Sequence, residues 1–269
     1  MVTIGFIGSG NMAEALIKGI ITARLYKPAN IFISDIRPQR IKQLVKKYKV
    51  RPAKNNSELA GKVDTVILSV KPQNMAEALE SVKGAVNSKK LVISIAAGVK
   101  VSRIAGVLGD VAIVRTMPNT PALIGEGASA LFANAKAKRM LKRVKNIFSA
   151  VGQVVIVDNE NLIDVVTAIS GSGPAYYFLL MEEMIKAAGK LGLPNNEAKN
   201  LVLQTAKGAA LLAVEADGRG ESPEQLRQKV TSPGGTTEAA LKVLAKGRFG
   251  PLIASAVKKA RDRSRQLSV

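Results

Sequence analysis

Apolar positions along this chain follow two periods. Thr3-Ile4-Gly5-Phe6-Ile7-Gly8 is a short apolar run, which predicts a buried strand. Met12, Leu16, Ile17 and Ile20 follow at the spacing of one helix face. Strand-like runs recur at residues 31–34, 65–70, 91–95, 111–115, 128–132 and 154–157, and helical spacing fills most of the gaps. Repeated strand–helix alternation predicts an α/β fold, a doubly wound and mostly parallel sheet with helices on both faces. After Asp158 no further strand run occurs. One long helical pattern covers 161–191, interrupted at Ser170-Gly171-Ser172-Gly173-Pro174, which should kink it and expose backbone groups. Further helices are expected near 196–215, 223–230, 236–246 and 251–267. The expected domains are therefore a sheet domain over 1–159 and an all-α domain over 160–269. The second half is rich in Ala and Leu and has no sheet to cover. Its apolar faces need a partner, so a homodimer at least is expected.

Gly8-Ser9-Gly10-Asn11-Met12-Ala13 joins the first strand to the first helix. This GxGxxA pattern, in strand–turn–helix context, points to dinucleotide binding on a Rossmann-type domain. Gly8 makes the tight turn, Gly10 lets a pyrophosphate approach the backbone, and Ala13 keeps helix and strand close. The second strand run ends in Asp35-Ile36-Arg37. An acidic residue there takes the ribose hydroxyls of NAD, whereas an Arg favours the 2′-phosphate of NADP. This chain has both, and the choice between NADH and NADPH stays open. Three loops follow the carboxyl ends of strands: Lys71-Pro72-Gln73, Ala96-Ala97-Gly98 and Met117-Pro118-Asn119-Thr120-Pro121. Singly each reads as a strand-to-helix turn; together they form a candidate floor for a nicotinamide ring. Lys229-Val230-Thr231-Ser232-Pro233-Gly234-Gly235-Thr236-Thr237 lies between two helical segments. Its glycines allow a ligand close to the backbone, and Thr236 or Thr237 should sit at a helix start. Free amides and the helix dipole there favour a small anion such as a carboxylate. The bland reading is a capped loop.

Composition narrows the chemistry. The 269 residues contain no Cys and no His. Thiol catalysis and serine–histidine triads are excluded, and a metal site is not expected. The formal charge of +20 is spread over many helices as solvated basic faces, and aromatic residues are scarce, so a nucleic-acid partner is not expected. The same charge would steer anionic cofactors and substrates. No apolar run reaches the length of a membrane span, and the first residues run straight into a strand, so a cytoplasmic protein without a membrane partner is expected.

Five pieces together resemble pyrroline-5-carboxylate reductase, over essentially the whole chain. They are the Gly8–Ala13 turn, Val70-Lys71-Pro72-Gln73, Met117-Pro118-Asn119-Thr120-Pro121, Ala168-Ile169-Ser170-Gly171-Ser172-Gly173-Pro174-Ala175-Tyr176, and Val230 to Thr237. The last two, in this order, are highly specific; the first is shared by many dehydrogenases. The resemblance implies an NADPH- or NADH-dependent reduction of 1-pyrroline-5-carboxylate to L-proline, the last step of proline biosynthesis. It implies a helical dimerisation domain that interlocks with a partner's, and often a decamer built from dimers. Its cofactor site would comprise Gly8, Ser9, Gly10, Asn11, Met12, Asp35, Arg37, Asn56, Val70, Lys71, Pro72, Ala97 and Gly98. Its substrate site would comprise Met117, Pro118, Asn119, Ser232, Gly234, Gly235, Thr236 and Thr237. Thr237 would be catalytic, touching the substrate nitrogen. The family commonly has Asn or Ser at the Asp35 position, so this chain departs from it there.

The residue inventory agrees independently. Reducing a cyclic imine by hydride transfer needs a positioned cofactor, a carboxylate anchor and at most one proton, and no metal, thiol or imidazole. The competing readings are a β-hydroxyacid dehydrogenase-like enzyme and a non-catalytic dinucleotide-binding protein. Dehydrogenases of that first kind resemble one another in a lysine early on the long helix, and here none occurs before Lys186. A sensor would need no carboxylate anchor.

Overall fold

The computed structural model describes residues 2–267. Eight strands form one sheet: β1 (Ile4–Ile7), β2 (Ile31–Ser34), β3 (Arg51–Pro52), β4 (Thr65–Leu68), β5 (Leu91–Ser94), β6 (Ala112–Met117), β7 (Gly127–Ala133) and β8 (Gly152–Ile156). Their order is β3-β2-β1-β4-β5-β6-β7-β8. Every pairing is parallel except β6 with β7. The chain moves outward from β1 in one direction, then returns to its other side with β4. The carboxyl ends of β1 and β4 therefore flank the crevice where such sheets bind ligands.

Strand side chains alternate between two faces, and the sheet sorts them into two cores. Ile4, Phe6, Ile31, Ile33, Ile67, Leu91, Ile93 and Val114 join one core. Ile7, Phe32, Val66, Leu68, Val92 and Ile113 join the other. The first core is closed by α1 (Asn11–Thr22), α2 (Pro38–Tyr48) and α6 (Leu141–Ser149), through Leu16, Ile17, Ile20, Leu44, Ile147 and Phe148. The second is closed by α3 (Asn56–Lys62), α4 (Met75–Glu80) and α5 (Val101–Leu108), through Leu59, Met75, Leu79 and Ile104. Each such fully buried side chain contributes about 1.5–3 kcal/mol, which is why the central strands read as unbroken apolar runs.

After β8 the chain is helical: α7 (Leu162–Val166), α8 (Gly173–Lys190), α9 (Asn195–Asp217), α10 (Pro223–Lys229), α11 (Thr236–Lys246) and α12 (Phe249–Gln266). The interruption between α7 and α8 is not a break. Thr167–Gly171 forms a π-turn, closed by Ser172 N–H donating to the Thr167 carbonyl at 2.8 Å. The Thr167 and Ser170 hydroxyls donate back to the carbonyls of Ile163 and Val166, so the glycine- and serine-rich stretch widens the helix without ending it.

By compactness, residues 2–174 with 259–267 form one unit and Ala175–Lys258 a second. This division falls later than the strand-to-helix change at 159, because α7 packs on β6 and β7. The second unit, taken alone, buries few of its apolar side chains. Tyr177, Phe178, Leu201, Leu211, Val214 and Val243 are each 59–74% exposed. No helix among the described residues is long and apolar enough to cross a membrane.

Candidate functional site

The turn after β1 is built around two glycines with different duties. Gly8 has φ +87°, and a Cβ there would lie 2.8 Å from the Ser69 carbonyl oxygen. Its N–H donates to Ser34 at 2.8 Å, and the Ser69 hydroxyl donates to its carbonyl. The turn is thus pinned between the ends of β2 and β4. Gly10 is the N-cap of α1, in extended conformation, with no side chain capping the helix. A Cβ at Gly10 would meet nothing within 4 Å. The space ahead of the first free amides, those of Asn11 and Met12, is open to an anion. A dinucleotide pyrophosphate fits this cradle.

Arg40 of α2 holds the turn and is itself held by Glu14 of α1, and neither was singled out in the sequence. Arg40 Nε donates to the Ser9 carbonyl at 2.7 Å, and Arg40 Nη2 pairs with Glu14 at 2.5 Å. Glu14 also accepts from Lys47 and from the Tyr48 hydroxyl, each at 2.9 Å. Burial alone would raise the Glu14 pKa, but the bonds from Lys47, Arg40 and Tyr48 outweigh it and hold it at about 2.

At the end of β2 the Asp35 carboxylate is only 5% exposed and fully engaged. Oδ2 accepts from Ser9 N–H at 2.7 Å and Arg37 Nη2 at 3.1 Å. Oδ1 accepts from Arg37 N–H and Arg37 Nε, both at 2.9 Å. Burial pushes its pKa up, and the bonds from Arg37 and Ser9 bring it below the ordinary carboxylate value. Next to it, Ser34 donates to Asn56 Oδ1 at 2.8 Å, and Asn56 Nδ2 donates to the Ser81 hydroxyl at 2.9 Å. Asp35, Arg37 and Asn56 thus gather on one side of the turn, where the adenosine half of a dinucleotide would lie.

The other side belongs to the loops after β4, β5 and β6. Val70 and Lys71 lead from β4 into a 3₁₀ turn opened by Pro72. Ala97 precedes Gly98, which has φ +71°, and a Cβ on Gly98 would lie 2.9 Å from the Leu267 carbonyl oxygen. Met117 packs on the π-turn: a Cβ on Gly171 would sit 2.6 Å from Met117 Cε. Pro118 leads into Asn119, whose carboxamide is committed on both sides. Its Oδ1 accepts from Ala128 N–H at 2.8 Å, and its Nδ2 donates to the Ser170 carbonyl at 3.0 Å. Under these loops Arg115, 1% exposed, pairs with Glu160 at 3.2 Å and Asp164 at 3.1 Å. Ser264 donates to the same Asp164 oxygen at 2.9 Å. The one sequence signal for this cluster was a charge at the end of an apolar strand run.

The 230–237 loop lies in the second unit. Thr231 ends α10 by donating to the Arg227 carbonyl at 2.6 Å. Gly234, with φ +71°, reverses the chain, and Ser232 is exposed. The helix that follows starts at Thr236, yet neither Thr236 nor Thr237 caps it. The N-cap is Gly235, and no side chain caps the helix. The threonine cap expected from sequence is thus replaced by a glycine, because Gly235 takes the extended conformation one residue earlier. Gly234 N–H donates to the Glu238 carboxylate at 2.9 Å, so this loop already binds one carboxylate.

Comparison with known proteins matches both parts of the chain. Residues 160–267 match a family model described as pyrroline-5-carboxylate reductase dimerisation, and residues 3–98 match one described as NADP oxidoreductase, coenzyme F420-dependent. A pyrroline-5-carboxylate reductase of Pseudomonas aeruginosa is 42% identical, over 98% of this chain and 96% of that protein. One of Synechocystis is 44% identical, over 99% and 98%. The solved pyrroline-5-carboxylate reductase of Coxiella burnetii superposes with a TM-score of 0.92 at 41% identity, covering 100% of this chain and 99% of that one. That of Plasmodium falciparum, solved with NADP bound, gives 0.88 at 34%, covering 100% and 98%. An identity of this size sustained along the whole length of both partners places the chain in the pyrroline-5-carboxylate reductase family.

Proposed function

We propose that Val230 to Thr237 holds the substrate of this NAD(P)H-dependent pyrroline-5-carboxylate reductase. The reaction adds a hydride to the imine carbon and one proton to the nitrogen, giving L-proline. Bound NAD(P)H supplies the hydride. Backbone N–H groups of Thr236 and Thr237 take the substrate carboxylate, while Gly235, whose own N–H donates to the Ser232 carbonyl at 3.0 Å, shapes the loop with Gly234 and Ser232. The Thr237 hydroxyl hydrogen-bonds the nitrogen and orients it for protonation. Met117, Pro118 and Asn119 are assigned to the substrate as well, on a loop that the Asn119 bonds to Ala128 and Ser170 hold in place. The observation that carries this reading is the start of α11, where Gly235 is the cap and no side chain covers the first amides. Thr237, one residue inside the helix, is left for another duty. The cofactor assignments to Gly8–Met12, Asp35, Arg37, Asn56, Val70–Pro72, Ala97 and Gly98 belong to the same proposal, as do a 1–159 and 160–269 division of labour. A cytoplasmic location, expected from the sequence, and a decamer built from dimers, implied by the family resemblance, complete it.

Thr237→Ala tests the role. NAD(P)H affinity should be unchanged, and kcat/KM for the imine should fall by about 10²–10⁴. A protonated imine is already activated, so the fall should be smallest at neutral pH and grow as pH rises. Wild-type kcat/KM from neutral to alkaline pH would remove Thr237 from the chemistry. A loss of helix capping cannot imitate the effect, since the cap is Gly235.

A further inference from the structure

The end of β2 carries both an acid and an arginine, and the two make opposite demands of a cofactor. We propose that Arg37, aimed by Asp35, reads a 2′-phosphate, so that this chain prefers NADPH and Asp35 positions Arg37 without accepting from the ribose. The inference rests on the dinucleotide site and not on the 230–237 loop.

A carboxylate offers about four acceptor positions. All four on Asp35 are filled: two by the Arg37 fork, one by Arg37 N–H and one by Ser9 N–H. A ribose diol could use Asp35 only by displacing a bidentate, charge-assisted pair or by loosening the glycine turn. The neighbouring Asn56 carboxamide is partly engaged as well: its Oδ1 accepts from Ser34 and its Nδ2 donates to Ser81. Arg37 is the reverse case. Its side chain is 60% exposed, and Asp35 engages only one edge of the guanidinium. The remaining N–H donors face outward on a planar group whose orientation is already fixed. What this edge offers a cofactor is donors and positive charge, which suits a phosphate and not a diol.

Titration calorimetry with 2′,5′-ADP and 5′-ADP tests this without hydride chemistry. The wild type should bind 2′,5′-ADP at least about tenfold more tightly than 5′-ADP, with the gap shrinking as salt rises. Arg37→Ala should erase the gap while 5′-ADP affinity holds or improves, since Asp35 is then released. The NADPH-to-NADH ratio of kcat/KM should fall by the same factor. Asp35→Asn keeps an oxygen for Ser9 but loses the charged fork that aims Arg37, so the preference for 2′,5′-ADP should shrink while 5′-ADP affinity falls by less than about tenfold. Equal affinities in the wild type, or a gap that survives Arg37→Ala, would overturn the proposal. So would a loss of 5′-ADP affinity of about tenfold or more in Asp35→Asn, which marks a ribose acceptor. Neither probe carries an imine, so failure here leaves the Thr237 assignment standing, and the reverse also holds.

Discussion

Glu14 shows how one side chain can organise a site it does not enter. It draws Arg40, Lys47 and Tyr48 together, and Arg40 in turn grips the Ser9 carbonyl. Its pKa, ordinarily 4.5, is lowered to about 2 in the folded protein. A group with a depressed folded pKa stabilises fully above its unfolded value and loses that contribution as pH falls through the folded one. The stability difference between wild type and Glu14→Gln should thus be complete at neutral pH and shrink between about pH 4.5 and pH 2. Melting temperatures of both proteins across that range check it; a difference independent of pH would show that shape, not charge, matters. At this scale the sequence was readable where only one residue type fits, as at Gly8. It was unreadable where direction decides. Asp35 and Arg37 could be named, but only the folded side chains show that the acid is consumed by the arginine. Arg40, three residues on, looks in sequence like any charge on a helix.

Among elements, α1 has a start that Gly10 leaves open. Gly10→Asp separates stability from binding there. The N-cap position is extended and uncapped, so aspartate should cap the helix and add roughly a few tenths of a kcal/mol, since glycine is itself a tolerable cap. Its carboxylate would also stand where the pyrophosphate approaches. The expected outcome is an equal or higher melting temperature with NAD(P)H binding lost; a folded variant with unchanged affinity would contradict the cradle. Most strands could be read from the chain because burial on both faces makes them unbroken apolar runs. β3 could not, since Arg51–Pro52 is two exposed residues that only extend the sheet edge. Nor could the antiparallel pairing of β7, because periodicity carries no direction. The π-turn was visible only as a helix interruption. Glycine and serine announce a disturbance, and whether the helix breaks or widens depends on hydroxyls bonding backward and on Met117 filling the space beside Gly171.

For the whole molecule, the decisive quantity is apolar surface. Unit 175–258, taken by itself, exposes large side chains along α8 and α9, including Tyr177 at 67% and Val214 at 74%. Contiguous exposed patches of this kind mark interfaces, and the match to a dimerisation family gives the partner as a second copy. The protein should sediment as a dimer or larger at all accessible concentrations, and Phe178→Glu should shift it toward monomer with loss of activity. A stable, active wild-type monomer would contradict this.

The buried Arg115 cluster has a consequence for the order in which the molecule is made. Ser264 bonds to Asp164 from 100 residues further along the chain. Residues 259–267 share a compact unit with 2–174, while 175–258 intervene. During synthesis the sheet emerges early, with Arg115 and Asp164 already in hand, but Ser264 follows only after residues 175–258. The nucleotide-binding body is therefore completed only after the intervening unit has been made. Contacts so distant in sequence form late because loop closure must come first. Removing residues 259–267 would leave Asp164 without its bond from Ser264, although all of 175–258 separates the two segments in sequence.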